Sequence, residues 1–129
     1  MKNVKLPDKQ PAIRVVTMPK DTNPGGSIFG GWIMSQVDIA GAIAAIARAR
    51  GQVATRAVTS FEFHQPVFVG DLISCYAEVS RVGRTSIVVH VEVYAQRNPS
   101  DPQTVKVTQA ELTYVALDEN RKPRSLPKQ

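Results

Sequence analysis

Only one stretch of this 129-residue sequence has the periodicity of a helix, and nearly everything after it reads as strand. Across residues 30–50, Ile33, Val37, Ala40 or Gly41, Ala44 and Ala47 recur at helical spacing, and Gly51 supplies a stop signal. The segment is built largely from small residues, Ala40, Gly41, Ala42, Ala44, Ala45 and Ala47. Small side chains let another backbone come close, as a sheet does when it wraps around a helix. The longest apolar run, Ile39 to Ala47, is closed by Arg48 and falls well short of the ~20 residues that cross a bilayer. A core helix is expected here, with no membrane partner.

The flanking segments favour strands. Residues 13–18 form a short strand, followed by a turn-rich stretch through Asn23, Pro24, Gly25 and Gly26. After the helix comes a β run over residues 53–63, then His64-Gln65-Pro66 and a turn at Gly70-Asp71. Ile73, Cys75, Ala77 and Val79 alternate with polar neighbours, as do Ile87, Val89, Val91 and Val93 beyond a tight turn at Val82-Gly83-Arg84. A loop around Asn98-Pro99 leads to a last long strand over about 104–117. One helix and about four antiparallel strands after it predict an α+β domain of the hot-dog type, a sheet curled around one long central helix. The free sheet edges are then available to a second subunit.

Charge and cysteine usage narrow the partners. From Gln10 to Asp118 nine basic residues balance nine acidic ones, so the net charge of +5 lies in the two ends. Lys2, Lys5 and Lys9 face only Asp8 there, while Arg121, Lys122, Arg124 and Lys128 face only Glu119. Such ends are expected to be solvated, flexible tails, about 1–10 and 119–129 of a single 1–129 domain, or else to attract a polyanionic ligand. No helix-turn-helix, zinc or aromatic RNA-binding pattern accompanies them, so no nucleic-acid partner is expected. A lone cysteine, Cys75, and no evident secretory signal point to a reducing cytoplasm. Two histidines without a spaced co-ligand predict no metal site.

Asp38 carries the most chemical information. Between Asp21 and Arg48 it is the only ionisable side chain, and it lies inside the apolar helix. A carboxylate kept among aliphatic groups is a candidate base or nucleophile. The same isolation fits a solvent-facing stripe or a structural bond across a dimer interface. Ahead of it, Gly30 and Gly31 open the helix, where unpaired N–H groups and the helix dipole can hold a carbonyl oxygen as it becomes negative. The seven residues from Gly31 to Asp38 span about 10 Å of helix, too far for both to act on one carbonyl in one subunit. A symmetric dimer can bring the helix start of one subunit to Asp38 of the other.

The run Asp21-Thr22-Asn23-Pro24-Gly25-Gly26-Ser27-Ile28-Phe29-Gly30-Gly31-Trp32-Ile33-Met34-Ser35-Gln36-Val37-Asp38 resembles the signature of the YciA-like acyl-CoA hydrolases, hot-dog thioesterases. The similarity continues through Phe63-His64-Gln65-Pro66-Val67-Phe68-Val69-Gly70-Asp71 and Val82-Gly83-Arg84-Thr85-Ser86-Ile87, in the same order. The resemblance implies hydrolysis of acyl-CoA to a free acid and coenzyme A, with no cofactor beyond the coenzyme A of substrate and product. Asp38 would be the catalytic carboxylate, Asn23 its partner from a facing subunit, and the Gly31 amide the group that polarises the thioester carbonyl. Gly30, Thr59, Gly83, Arg84, Thr85 and Ser86 would contact coenzyme A, with Arg84 near phosphate. The family also implies a homo-oligomer, a dimer at least and a trimer of dimers by analogy.

Milder roles exist for several of these residues. Asn23 suits a turn, Arg84 a solvated hairpin, His64 a strand end, and Trp32 and Phe29 an interface or pocket wall. Two rival functions also use this fold. A hydroxyacyl-thioester dehydratase needs a histidine paired with an acid, and His64 is the only candidate. A non-catalytic acyl-CoA sensor would use the same pocket, and a fused DNA-binding segment would favour it.

Overall fold

The computed structural model describes residues 3–129, so Lys2 of the basic N-terminal cluster lies outside the described residues. Five strands form one antiparallel sheet: β1 (Ile13–Val16), β2 (Val53–Phe63), β3 (Leu72–Val82), β4 (Ser86–Arg97) and β5 (Gln103–Ala116), in the spatial order β1-β3-β4-β5-β2. The helix α1 (Gly30–Ala49) packs across one face of this sheet, the hot-dog arrangement expected from the element order. By length and composition alone α1 could span a membrane, but Ile33, Val37, Ala40, Ala45 and Ala49 are buried against the sheet. They meet Ile73, Cys75, Val89, Val91, Leu112 and Tyr114 in one core. Full burial of each large aliphatic side chain contributes about 1.5–3 kcal/mol, which outweighs the modest helix propensity of Val37 and Ile33.

The helix stops for a different reason from the one its glycine suggests. Arg50 itself takes the left-handed conformation, with φ 55° and ψ 43°, and its N–H closes on Ile46 O at 2.8 Å. Gly51 serves packing instead, since a Cβ there would sit 2.9 Å from the Arg124 guanidinium. That guanidinium donates to Ala49 O at 2.8 Å and to Leu117 O at 2.9 Å, satisfying a helix-terminal carbonyl with a cation.

Arg124 belongs to the segment expected as a solvated basic tail. The C-terminal residues instead run along the body: Arg124 N donates to Ala116 O, Leu126 N to Arg84 O, and Arg48 Nη1 to Pro127 O. Leu126 packs against the core, so an apolar residue that composition alone hides among charges anchors this end. At the other end Val4 N donates to Thr104 O, and Lys9 pairs with Glu78 at 3.0 Å.

The two sides of the sheet differ. Ser74 and Tyr76, polar neighbours in the alternation along β3, are buried: Arg14 of β1 donates to Ser74 Oγ at 2.8 Å and Tyr76 Oη at 3.3 Å, and the Tyr94 ring meets Tyr76 edge-on. Along β2 most residues are exposed on both faces, and no strand of the described chain pairs with its outer edge. Such an edge is an open template for strand pairing.

Candidate active site

The segment ahead of α1 folds into a pinned loop. Thr22 and Ile28 form a β-bridge, Asn23 N donates to Ser27 O at 2.7 Å, and Phe29 N donates to Asp21 O at 2.9 Å. The Asn23 side chain closes the same loop, accepting from Ser27 N at 3.2 Å and donating to Ser27 Oγ at 3.1 Å. Its bonds within this protomer are thus those of a turn residue, and it makes no contact with Asp38. Gly26, with φ +94°, lets the chain reverse. Gly30 packs under Phe63, whose ring carbons would lie 3.3 Å from an added Cβ, while Gly31 is exposed with open space beside it. The N–H groups of Gly30 and Gly31 belong to the first turn of α1, which has no intrahelical acceptor for them, while Trp32 N and Ile33 N donate to Phe29 O at 3.1 and 3.3 Å.

Two turns further on, the half-buried Asp38 is held from the sheet. Thr55 Oγ1 donates to Asp38 Oδ1 at 2.7 Å. The Tyr114 hydroxyl lies 2.8 Å from Asp38 O and 3.1 Å from Asp38 Oδ1. Thr55 and Tyr114 are direct cross-strand partners of β2 and β5, so both point at the helix from the same face. Burial, then the charge and hydrogen bonding of Asp38, pushes the Tyr114 phenol far above its ordinary range, so it stays a proton donor. Neither residue stands out in the sequence; the signal is their shared register opposite Asp38, which needs the β2–β5 pairing.

Thr59, the threonine implied by resemblance, lies elsewhere. It pairs with Glu111, donates to Glu111 O at 3.3 Å and lines a cavity with Ser80, Arg81 and Val88 on the sheet face away from α1. Gly83, Arg84, Thr85 and Ser86 form the β3–β4 turn, tied by Gly83 N to Ser86 O at 2.8 Å and by Thr85 O to Ala116 N at 2.9 Å. Close by, Arg81 and Val82 meet Arg48, Arg50, Ala44 and Ala47 around an open cavity of about 630 Å³ at the C-terminal half of α1. No acidic residue lines it, so it presents cationic groups beside an apolar wall.

The other ionisable candidates fall outside this arrangement. His64 lines a cavity of about 360 Å³ with Gly30, Ile33 and Phe63 at the helix start. His90 sits on the far sheet face, 3.0 Å from Glu92 and 3.6 Å from Glu111. Burial pushes the Cys75 thiol up to about 12, which removes it as a nucleophile at neutral pH. Among the described residues no three His, Cys, Asp or Glu side chains gather as metal ligands would.

Residues 25–100 match the family model of the thioesterase superfamily. The acyl-CoA thioester hydrolase YciA of Salmonella typhimurium is 46% identical over 125 residues, covering 95% of this chain and 94% of that protein. A crystal structure of a hexameric hotdog fold thioesterase of Campylobacter jejuni superposes with a TM-score of 0.89 at 46% identity, covering 92% of this chain and 91% of that one. The acyl-CoA hydrolase of Staphylococcus aureus, solved with butyryl coenzyme A, coenzyme A and coenzyme A disulfide, gives a TM-score of 0.81 at 32% identity, covering 89% and 70%. That enzyme was also solved as an aspartate-to-alanine and a threonine-to-alanine mutant, whose positions are 17 residues apart, the separation between Asp38 and Thr55. The fold agrees with these matches: the chain belongs to the YciA acyl-CoA thioester hydrolase family of the thioesterase superfamily.

Proposed function

We propose that this protein hydrolyses acyl-CoA thioesters to the free acid and coenzyme A, with Asp38 as the reacting carboxylate. The observation that carries the reading is a helix carboxylate held by two sheet donors, in a chain 46% identical to a named acyl-CoA thioester hydrolase. As a base, Asp38 takes a proton from water while the water oxygen bonds to the thioester carbon. The C–S bond then breaks, and the proton on Asp38 passes to the departing coenzyme A thiolate. As a nucleophile, Asp38 would bond to the thioester carbon while the C–S bond breaks and the coenzyme A thiolate leaves; water then opens the mixed anhydride to the free acid and the Asp38 carboxylate, and the proton released goes to the thiolate. Donors at a helix start stabilise the oxyanion in either case.

The helix start and Asp38 of one chain are too far apart to share a carbonyl, and Asn23 is engaged in its own loop. The complete site therefore lies between two protomers, with Gly31 and Asn23 from one facing Asp38 of the other. The unpaired edge of β2 beside Thr55 suits that pairing. The C. jejuni relative is hexameric, which favours a homo-oligomer here, a trimer of dimers. Arg48, Arg50 and Arg81, with Arg84 in the adjoining turn, offer cations to the coenzyme A phosphates, and Thr85 and Ser86 offer hydroxyls. The reaction needs no metal or redox cofactor, and a cytoplasmic location fits the substrate.

Thiol release from a panel of acyl-CoA esters, with wild type beside Asp38→Ala, tests this reading. Rapid release by wild type and a loss of at least ~100-fold in the mutant is the expected result. Equal rates in both would overturn the role of Asp38. Tight binding without release by either would make the chain an acyl-CoA sensor. The dehydratase alternative lacks its histidine–acid pair at this site, since no histidine is bonded to Asp38.

A further inference from the structure

We infer that Tyr114 is a positioning residue for this reaction: seated in the notch at Gly41, its phenol and Thr55 fix one oxygen of Asp38, so that Oδ2 is the oxygen presented to substrate. The inference rests on the proposal that Asp38 is the reacting carboxylate.

Three observations converge. Thr55 and Tyr114 both donate to Oδ1, at 2.7 and 3.1 Å, whereas Oδ2 has no hydrogen-bond partner among the described residues. A carboxylate tied through one oxygen cannot turn without losing both donors. The same phenol also lies 2.8 Å from the main-chain oxygen of Asp38, so its single proton is shared between the helix backbone and the side chain of one residue. Finally, a Cβ at residue 41 would lie 2.3 Å from the Tyr114 oxygen and 3.1 Å from its Cζ. Glycine disfavours a helix interior, yet at Gly41 it alone leaves room for the phenol.

The arrangement serves both protonation states of the carboxyl group. When Asp38 takes the proton of the attacking water on Oδ2, Oδ1 becomes the carbonyl oxygen of the acid and still accepts from Thr55 and Tyr114. The proton can then leave from Oδ2 to the thiolate without any protein donor moving. Fixed donors of this kind lower the reorganisation that accompanies charge transfer.

Tyr114→Phe tests the role, because it removes the hydroxyl and keeps the packed ring. The expected result is a fall in kcat of ~10- to 100-fold, the range for a hydrogen bond to a charged group, with KM changed less than about threefold. A variant with wild-type kcat would overturn the inference, as would a change confined to KM. Introducing 3-fluorotyrosine at position 114 keeps the hydroxyl donor and is expected to recover most of the kcat that Tyr114→Phe loses; a rate as low as that of Tyr114→Phe would also overturn the inference. Asp38→Ala, run in parallel, separates the two ideas. If it is inactive while Tyr114→Phe is normal, only the positioning role fails; if it is fully active, the underlying proposal fails.

Discussion

Thr55 Oγ1 donates a 2.7 Å hydrogen bond to Asp38 Oδ1 and so joins the edge strand β2 to the middle of α1. A bond to a charged acceptor is worth about 1.5–3 kcal/mol. Thr55→Val, which keeps the shape and removes the hydroxyl, is therefore expected to lower kcat by roughly 10- to 150-fold, whereas Thr55→Ser retains most activity. Steady-state thiol release measures both.

The buried pair of Arg97 and Asp71 supports the loop after β2. Arg97 Nη2 lies 2.8 Å from Asp71 Oδ2, which also accepts from Phe68 N at 2.9 Å. Arg97 also donates to Pro66 O at 3.2 Å and lies over the Phe68 ring, so the loss on removing Asp71 is that of a hydrogen bond to a charged group, about 1.5–3 kcal/mol. Asp71→Ala should lose that much in urea unfolding, compared at equal protomer concentration.

Cys75 should be silent in a thiol-detection assay. With its thiol pushed up to about 12 from 9.0, the thiolate fraction at pH 8 falls by roughly 1,000-fold. Native protein is expected to react with a disulfide reagent only on unfolding, so one equivalent of thiol appears after denaturant is added. Rapid labelling of the native protein would contradict this burial.

Assembly should depend on β2. Val58 on β2, Phe63 at its end and Met34 on α1 are each 40–47% exposed, beside an unpaired edge. Val58→Asp would place a charge where a partner strand is expected. Light scattering should then show a smaller species, with activity lost alongside, because the proposed site needs two protomers.

The basic cavity should act on binding rather than chemistry. Arg81 lines it from β3 and is exposed. One phosphate–cation contact near the surface is worth about 1 kcal/mol, so Arg81→Ala should raise KM roughly fivefold with kcat little changed. The wild-type advantage should shrink as salt is raised.

Local residue patterns already contained the elements and the reacting group. The period of Ile33, Val37 and Ala40 marked α1, and alternation marked β3 and β4, because each records which face meets the core. Asp38 stood out because an ionisable residue in an apolar helix is conspicuous in one dimension. Anchoring of the C-terminal residues was hidden, since Leu126 and the caps made by Arg124 find their partners only across the folded chain.

The surroundings of Asp38 were decided by tertiary structure alone. Thr55 and Tyr114 are 59 residues apart and become neighbours through the β2–β5 register, while Thr59, four residues along a bulged strand, faces the other way. A one-residue slip reverses which face a side chain occupies, so no reading of composition or spacing can choose between two threonines on one strand. What the sequence determined by itself was a single apolar helix, its lone carboxylate and the strands that cover it. Which donors grip that carboxylate, and which of its oxygens is left open, follows from the pairing of strands far apart in the chain, because hydrogen bonds depend on positions in space.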